Sequence, residues 1–155
     1  MIKRGGAGLK FDNDFFNTEV REGFEISSMM KRAWAAQMEV FQVVSDICNR
    51  NGIRYFADFG TLLGAVRHKG MIPWDDDIDI SLMRDEYNEL IRILPGELPY
   101  GFVVAGMYAD CERLQNAAFV PQLRVIADEE LWDFNDYMKY LSLIHISEPT
   151  RQAEI

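Results

Sequence analysis

The sequence has 155 residues, of which 48% are hydrophobic and 26% are charged, and its formal net charge is −9 at pH 7. This length is typical of one domain, and the composition indicates a soluble globular protein. No run approaches the roughly 20 apolar residues that a membrane-spanning helix needs. The acidic balance, without a basic stripe, argues against nucleic acid as a partner. Two widely separated cysteines predict free thiols and a cytoplasmic location.

The N-terminal part predicts a loose segment followed by a long helix. Residues 1–24 are rich in glycine at first and then mixed, so we expect them to be poorly ordered. From Glu25 to Arg50 the apolar residues recur at intervals of three and four, which predicts a helix with one broad apolar face. Asn51-Gly52 is a typical helix stop. The Met and Trp residues of that face are interpreted as core packing.

A strand, a tight turn and a short helix are predicted next. Residues 53–59 are aromatic and branched, which favours a strand. This strand runs into Gly60-Thr61, and residues 62–69 then predict a short helix that Gly70 ends. A glycine at such a turn lets backbone N–H groups face an anion at the helix N-terminus. We therefore expect Gly60 and Thr61 to lie beside phosphate oxygens.

The densest charge cluster in the sequence is Asp75, Asp76, Asp77 and Asp79, with isoleucines after the third and fourth of them. Because side chains alternate along a strand, a strand here would point Asp75, Asp77 and Asp79 to one face. Asp76 would point away. Three carboxylates on one face raise one another's pKa unless cations neutralise them, and Mg²⁺, or Mn²⁺ in its place, suits such oxygen ligands. The alternative is an acidic turn between two elements.

The remaining elements complete a mixed sheet. Residues 84–94 predict a second long helix, which Pro95-Gly96 closes. Residues 101–108 and 117–126 predict strands, and residues 128–140 have no assignment. This order predicts an α+β domain, with a mixed β-sheet flanked by helices and the candidate residues side by side at one end of the sheet.

The last residues, 141–155, resemble the translated read-through of a sequencing-library adaptor. We therefore expect an artefactual tail after a domain that covers residues 25–140, and a natural protein that continues differently beyond Tyr140. His145 would then carry no functional weight. The alternative is a genuine short strand at Leu143, Ile144 and Ile146, followed by a polar tail.

Two motifs resemble the signature of the LicD family. They are Gly60-Thr-Leu-Leu-Gly-Ala-Val-Arg-His-Lys-Gly70 and Ile72-Pro-Trp-Asp-Asp-Asp-Ile-Asp-Ile80. This family has a nucleotidyltransferase-like fold and is similar to the fukutin and fukutin-related transferases. The resemblance implies transfer of phosphocholine, or a similar phospho-substituent, from a CDP-activated donor to a sugar hydroxyl of a cell-surface glycan such as lipopolysaccharide or teichoic acid.

The resemblance also implies roles for individual residues. Asp77 and Asp79 correspond to metal ligands, with Asp75 as a third carboxylate, and all three count as catalytic. From its position at the end of the short helix, and not from the resemblance, Arg67 is expected to contact a donor phosphate, with a salt bridge to the acidic cluster as the alternative. Arg124 would contact the donor. With Gly60 and Thr61, these arginines complete the predicted substrate-binding set.

Two further expectations follow from the family. Its members usually continue with a long C-terminal portion, so we expect this chain to be truncated and to be inactive as an isolated fragment if that portion is needed. A lipid-linked acceptor would bring the enzyme to the inner membrane surface. Two other functions are weighed: an idle nucleotide- or glycan-binding fragment, and a nucleotidyltransferase that moves the nucleotide itself.

Overall fold

A computed structural model of the chain describes residues 9–105, 123–127 and 143–147. The predicted α+β class is confirmed, because a mixed sheet is flanked by helices. The described helices are α1 (Ser28–Arg50), α2 (Phe59–Arg67) and α3 (Arg84–Glu97). The described strands are β1 (Glu19–Arg21), β2 (Phe24–Ile26), β3 (Phe56–Ala57), β4 (Ile78–Ser81), β5 (Phe102–Ala105), β6 (Leu123–Ala127) and β7 (Leu143–Ser147). None of the described helices is long and apolar enough to span a membrane.

The N-terminal segment contains more order than its sequence predicts. Residues 13–16 form a 3-10 turn, and β1 pairs antiparallel with β2 through a two-residue loop. Both loop residues, Glu22 and Gly23, have positive φ angles of 51° and 78°, which suits the twist of a tight hairpin. Glu19 of this hairpin pairs with the buried Lys31 of α1 at 2.9 Å. The expectation of disorder therefore does not describe residues 13–24.

Helix α1 forms where the apolar periodicity predicts it. The side chain of Ser27 caps its first turn by accepting from the Met30 N–H at 3.2 Å, as serine commonly does. Its buried face carries Val40, Val44 and Ile47. These side chains join the main core with residues of α3 and of the sheet, and α1 contacts α3, β6 and β7.

The central sheet has the order β3-β4-β7-β6-β5. Only the β4–β7 pair is parallel, whereas β3–β4, β7–β6 and β6–β5 are antiparallel. Residues 143, 144 and 146 therefore lie in a strand, as the alternative interpretation expected, and Ile146 is fully buried. The adaptor origin of residues 141–155 stays a prediction, which resequencing the gene past the codon for Tyr140 tests.

Several predicted boundaries are wrong. Helix α3 continues through Pro95, and the Leu98 N–H donates to the Leu94 carbonyl at 3.0 Å. Proline is tolerated there because its φ is compatible with a helix and only one hydrogen bond of the last turn is lost. Residues 106–122 and 128–142 lie outside the described residues, so β5 and β6 test only part of the two predicted strands.

Helix α2 begins earlier than predicted, at Phe59, so Gly60 and Thr61 lie within its first turn. Its one buried residue is Gly64. A Cβ atom there would lie 2.5 Å from the Gly70 carbonyl oxygen and 3.3 Å from two atoms of Ile72. Glycine at position 64 is therefore what lets the segment after α2 turn back across the helix towards β4.

We predict that Gly64→Ala lowers the free energy of unfolding by roughly 1–3 kcal/mol, because the new methyl group meets backbone atoms that cannot rotate away. Chemical denaturation followed by circular dichroism measures this. Gly96→Ala is the matched control, since Gly96 also lies in a helix and a Cβ there meets nothing within 4 Å. Equal stability of the two variants would contradict the packing argument.

Candidate functional site

The N-terminus of α2 is joined to β4 by a set of hydrogen bonds. The Asp58 N–H donates to the Asp79 carbonyl at 3.2 Å, and the Asp79 N–H donates to Thr61 Oγ1 at 2.8 Å. The Asp58 carboxylate caps the helix by accepting from the Phe59 N–H at 2.8 Å, and it also accepts from the Ser81 hydroxyl. These bonds place Gly60 and Thr61 directly beside the start of β4.

Asp75 reaches this junction from a tight turn. The Asp75 N–H donates to the Ile72 carbonyl at 3.0 Å, with Pro73 at the turn position that proline favours. A Cβ atom on Gly60 would lie only 2.3 Å from Asp75 Oδ2. Glycine is therefore required at position 60 for this carboxylate to approach the first turn of α2, where the helix dipole favours negative charge.

The alternation argument for the acidic cluster is wrong in part. Strand β4 begins only at Ile78, and a turn at Pro73-Trp74 precedes the acidic residues. Carboxylate oxygens of Asp75, Asp76 and Asp77 lie within 4.8 Å of one another. Asp76 therefore does not point away from the other two, and the acidic-turn alternative describes the backbone of this stretch. The turn is nonetheless a place where three carboxylates converge.

Asp79 is the one aspartate of the cluster that lies on β4, and it is electrostatically coupled to the others. Burial, followed by the negative charges of Asp77, Asp75 and Asp58, raises its pKa to about 6. Burial and the charge of Asp77 also raise the pKa of Asp75. The carboxylates are thus held close enough to oppose one another's ionisation, which is the situation that a bound cation relieves.

Two buried side chains of α1 donate hydrogen bonds to backbone carbonyls of the acidic turn. Trp34 Nε1 donates to the Asp75 carbonyl at 2.8 Å, and Gln37 Nε2 donates to the Asp76 carbonyl. Both side chains are only 2% exposed. Gln37 Oε1 is buried and has no hydrogen-bond partner among the described residues. The sequence interpretation missed both roles, although a glutamine three residues after Trp34 on a mainly apolar helix face was the available signal.

Arg67 does not form an ion pair with the acidic cluster among the described residues. Arg67 is exposed at the end of α2, where its Nε donates to His68 Nδ1 at 3.3 Å. The alternative salt bridge between Arg67 and the aspartates is not among the ion pairs of the described residues. Arg124 lies on β6, which β7 separates from β4, and its side chain lies outside what the structure describes.

Thr61 has a structural role that the sequence did not predict. Its hydroxyl oxygen accepts from the Asp79 N–H, so it fixes β4 against α2. The hydroxyl proton remains available as a donor. Its predicted contact with a phosphate oxygen stays a prediction, as do the substrate-binding roles of Gly60, Arg67 and Arg124.

A model of the LicD/FKTN/FKRP family, nucleotidyltransferase domain, matches residues 52–141. This match covers more than half of the chain, which therefore belongs to the family. The aspartate cluster and Gly60 lie inside the matched range, whereas Trp34 and Gln37 precede it.

Individual relatives are similar over shorter stretches. The chain is 53% identical over 47 residues to the lipopolysaccharide cholinephosphotransferase LicD of Haemophilus influenzae, covering 30% of this chain and 18% of the relative. It is 37% identical over 51 residues to human ribitol 5-phosphate transferase FKRP, covering 33% and 10%. An uncharacterised protein of Rickettsia prowazekii is 41% identical over 71 residues, covering 44% and 27%. The matched part thus spans about a quarter or less of these relatives.

We predict that Trp34→Phe lowers the free energy of unfolding by about 1–2 kcal/mol, because the ring is kept but the partly buried Asp75 carbonyl loses its donor. Urea denaturation at neutral pH measures this. Trp74→Phe is the control, since Trp74 is 51% exposed, and it should change stability by less than about 0.5 kcal/mol. Two variants of equal stability would show that the bond to the acidic turn contributes nothing.

The raised pKa of Asp79 predicts a pH dependence for the metal-free protein. Its carboxyl binds a proton more tightly when folded, about 6 against an ordinary 3.8, so the stabilisation is complete below pH about 4 and is lost as pH rises through about 6. Melting temperature should therefore fall as pH rises from about 4.5 to about 6, and less so in Asp79→Asn. The glutamates with lowered pKa values titrate below this window: Glu19, Glu86, Glu89 and Glu97.

The control for this pH series is Asp46→Asn, because Asp46 lies exposed on α1 and hydrogen-bonds only locally with Gln42. It should show the wild-type slope. If the wild-type and Asp79→Asn slopes coincide, Asp79 does not have the raised proton affinity assigned to it.

Proposed function

We propose that this chain carries the metal- and phosphate-binding part of a transferase that moves phosphocholine, or a similar phospho-substituent, from a CDP-activated donor to a sugar hydroxyl. The observation that carries this proposal is the convergence of the Asp75, Asp76 and Asp77 carboxylates beside Gly60, with Asp79 close enough to share their charge. The named relatives, a cholinephosphotransferase and a ribitol 5-phosphate transferase, support the reaction class.

The donor set fits a hard divalent cation. Carboxylate oxygens are the ligands that Mg²⁺ and Mn²⁺ prefer, and mutual repulsion among these groups favours a positive charge between them. Asp75, Asp77 and Asp79 would hold the metal, and the position of Asp76 adds it as a fourth candidate ligand. When bound, the metal would supply charge neutralisation at the transferring phosphoryl group.

The chain's own groups account for the other requirements of the transfer. The N–H groups of Gly60 and Thr61, in the first turn of α2, would bind donor phosphate oxygens. One of the aspartates would also take the proton of the attacking hydroxyl. The sugar oxygen then forms a new bond to phosphorus, and the bond to CMP breaks, so that CMP leaves.

The acceptor and location are also proposed from the family. We propose a cell-surface glycan of lipopolysaccharide or teichoic acid type as the acceptor, and the cytoplasm as the location. A lipid-linked acceptor would hold the protein at the inner membrane surface. The donor is the small-molecule partner, and no nucleic-acid partner is proposed because the chain is strongly acidic.

We predict that Asp77→Asn and Asp79→Asn each lower the transfer rate by at least about a hundredfold, because each removes a charge that the transition state needs. The assay follows CMP release and the modified sugar, with Mg²⁺ present and then chelated. Asp46→Asn is the matched control and should keep the wild-type rate. Binding of Mn²⁺, followed by electron paramagnetic resonance, should weaken in the same two variants.

Three results would contradict the proposal. Transfer that survives either substitution would remove the aspartates from the reaction. Release of the free phospho-substituent, with the nucleotide joined to the acceptor, would indicate a nucleotidyltransferase instead. Donor binding without turnover, in a chain that retains the circular dichroism spectrum of the folded state, would indicate an idle binding module.

A further inference from the structure

Helix α2 contacts the rest of the described protein through its smallest residues. Gly60 lies against Asp75, Thr61 accepts from the Asp79 N–H, and Gly64 lies against the Gly70 carbonyl. These positions are spaced by one, three and four residues, so they form one face of the helix. The inner face of α2 is therefore nearly devoid of large apolar side chains.

The opposite face of α2 is apolar and exposed. Phe59, Leu62, Leu63 and Val66 are spaced as i, i+3, i+4 and i+7, which forms one continuous stripe. Their side chains are 66%, 48%, 45% and 64% exposed, respectively. We call these four residues the α2 stripe. An amphipathic helix on a globular protein normally has the reverse arrangement, so the α2 stripe indicates a surface that binds something.

Charge around the α2 stripe selects the kind of partner. The chain has a net charge of −9, yet residues 59–74 contain no Asp or Glu and contain Arg67, His68 and Lys69. Lys69 Nζ donates to the Val66 carbonyl at 2.9 Å, so its ammonium lies at the end of the stripe. At the C-terminal end of the stripe, Glu22 faces His68 Nε2 at 3.2 Å, which leaves the exposed Arg67 and Lys69 to attract anions. The acidic residues Asp58 and Asp75 lie at the opposite, N-terminal end of α2.

A half-exposed aromatic residue lies beside the C-terminal end of α2. The Trp74 side chain is 51% exposed, and its ring centroid lies 5.9 Å from that of His68, next to the C-terminal end of α2. Exposed apolar residues, flanking cations and a half-exposed tryptophan are the features of a helix that lies in the interface of a bilayer.

We propose that the α2 stripe docks on an anionic lipid surface, with Arg67 and Lys69 at the headgroups. A second copy of the chain fits this surface less well. A nine-residue helix is only about 14 Å long, so its stripe is much smaller than the roughly 800 Å² that each partner of a stable complex buries. The docking itself does not depend on the proposed transfer reaction.

Docking would place the candidate site close to the membrane. The aspartates contact the inner face of α2 and lipid would contact its outer face, so the two would be separated by about one helix diameter, roughly 10–12 Å. This consequence rests on the proposed function: a sugar carried on a lipid would meet the acidic cluster without leaving the membrane surface.

Cosedimentation of the full chain with vesicles tests the proposal. Wild-type protein should bind vesicles of equal parts phosphatidylcholine and phosphatidylglycerol, and should bind pure phosphatidylcholine more weakly. The double variant Leu62→Gln, Leu63→Gln should lose at least about tenfold in apparent affinity, because two leucines no longer enter the interface. Lys69→Gln and added salt should both weaken binding to the anionic vesicles.

The matched control is Tyr100→Gln, because Tyr100 is 61% exposed and follows α3. Glu97 of α3 pairs with Arg50 at the C-terminal end of α1, whereas Trp34, which contacts the acidic turn, lies near the N-terminal end of α1. It should bind as the wild type does. The proposal is overturned if folded wild-type protein does not bind anionic vesicles, or if the double variant binds equally well. It is also overturned if ultracentrifugation shows a dimer that the double variant abolishes.

Failure of docking and failure of the transfer proposal remain distinguishable. Vesicle binding is measured without donor or metal, and transfer is measured with a short water-soluble acceptor that needs no membrane. A chain that transfers to the free acceptor but ignores vesicles would retain the proposed function and lose only the docking surface.

Discussion

The hydrogen bond from the Asp79 N–H to Thr61 Oγ1 is the contact on which the arrangement of the candidate site depends. It joins the first turn of α2 to the start of β4. A second hydrogen bond, from the Asp58 N–H to the Asp79 carbonyl, joins the same two elements. Asp79 therefore uses both its backbone N–H and its backbone carbonyl to hold α2. The Asp79 side chain is thereby oriented by its own backbone, beside the carboxylates that precede it.

Repulsion among the aspartates is the cost of this arrangement, and the fold opposes it from two sides. Glycine at position 60 lets Asp75 approach the positive end of the α2 dipole. From the other side, Trp34 and Gln37 hold the Asp75 and Asp76 carbonyls from within the core. The turn therefore cannot relax outward without breaking buried hydrogen bonds, so the charges remain concentrated where a cation could offset them.

Helix α2 lies between the acidic turn and the protein surface. Its small residues permit close approach to the acidic turn on one face, and its large apolar residues are displaced to the other. A single nine-residue helix thus forms one wall of the candidate site and an exposed apolar surface. Both properties follow from the same distribution of glycine, threonine and leucine, because side chains excluded from a crowded interface must project away from it.

Local sequence determined the elements whose signals are local. The apolar periodicity of residues 25–50 specified α1, the acidic cluster and the Gly-Thr pair located the candidate site, and two motifs identified the family. Only the tertiary structure decided which atoms meet: that Asp76 joins its neighbours, that Thr61 binds backbone, and that Gln37 supports the turn. Gln37 and Asp76, for example, are 39 positions apart. The residues on either side of them in the sequence do not indicate that the two meet. The prediction from strand alternation was wrong for Asp75 because a proline turn, not a strand, sets the direction of its side chain. The turn and the strand share one acidic run, and a pattern of residue types does not specify where in such a run the strand begins.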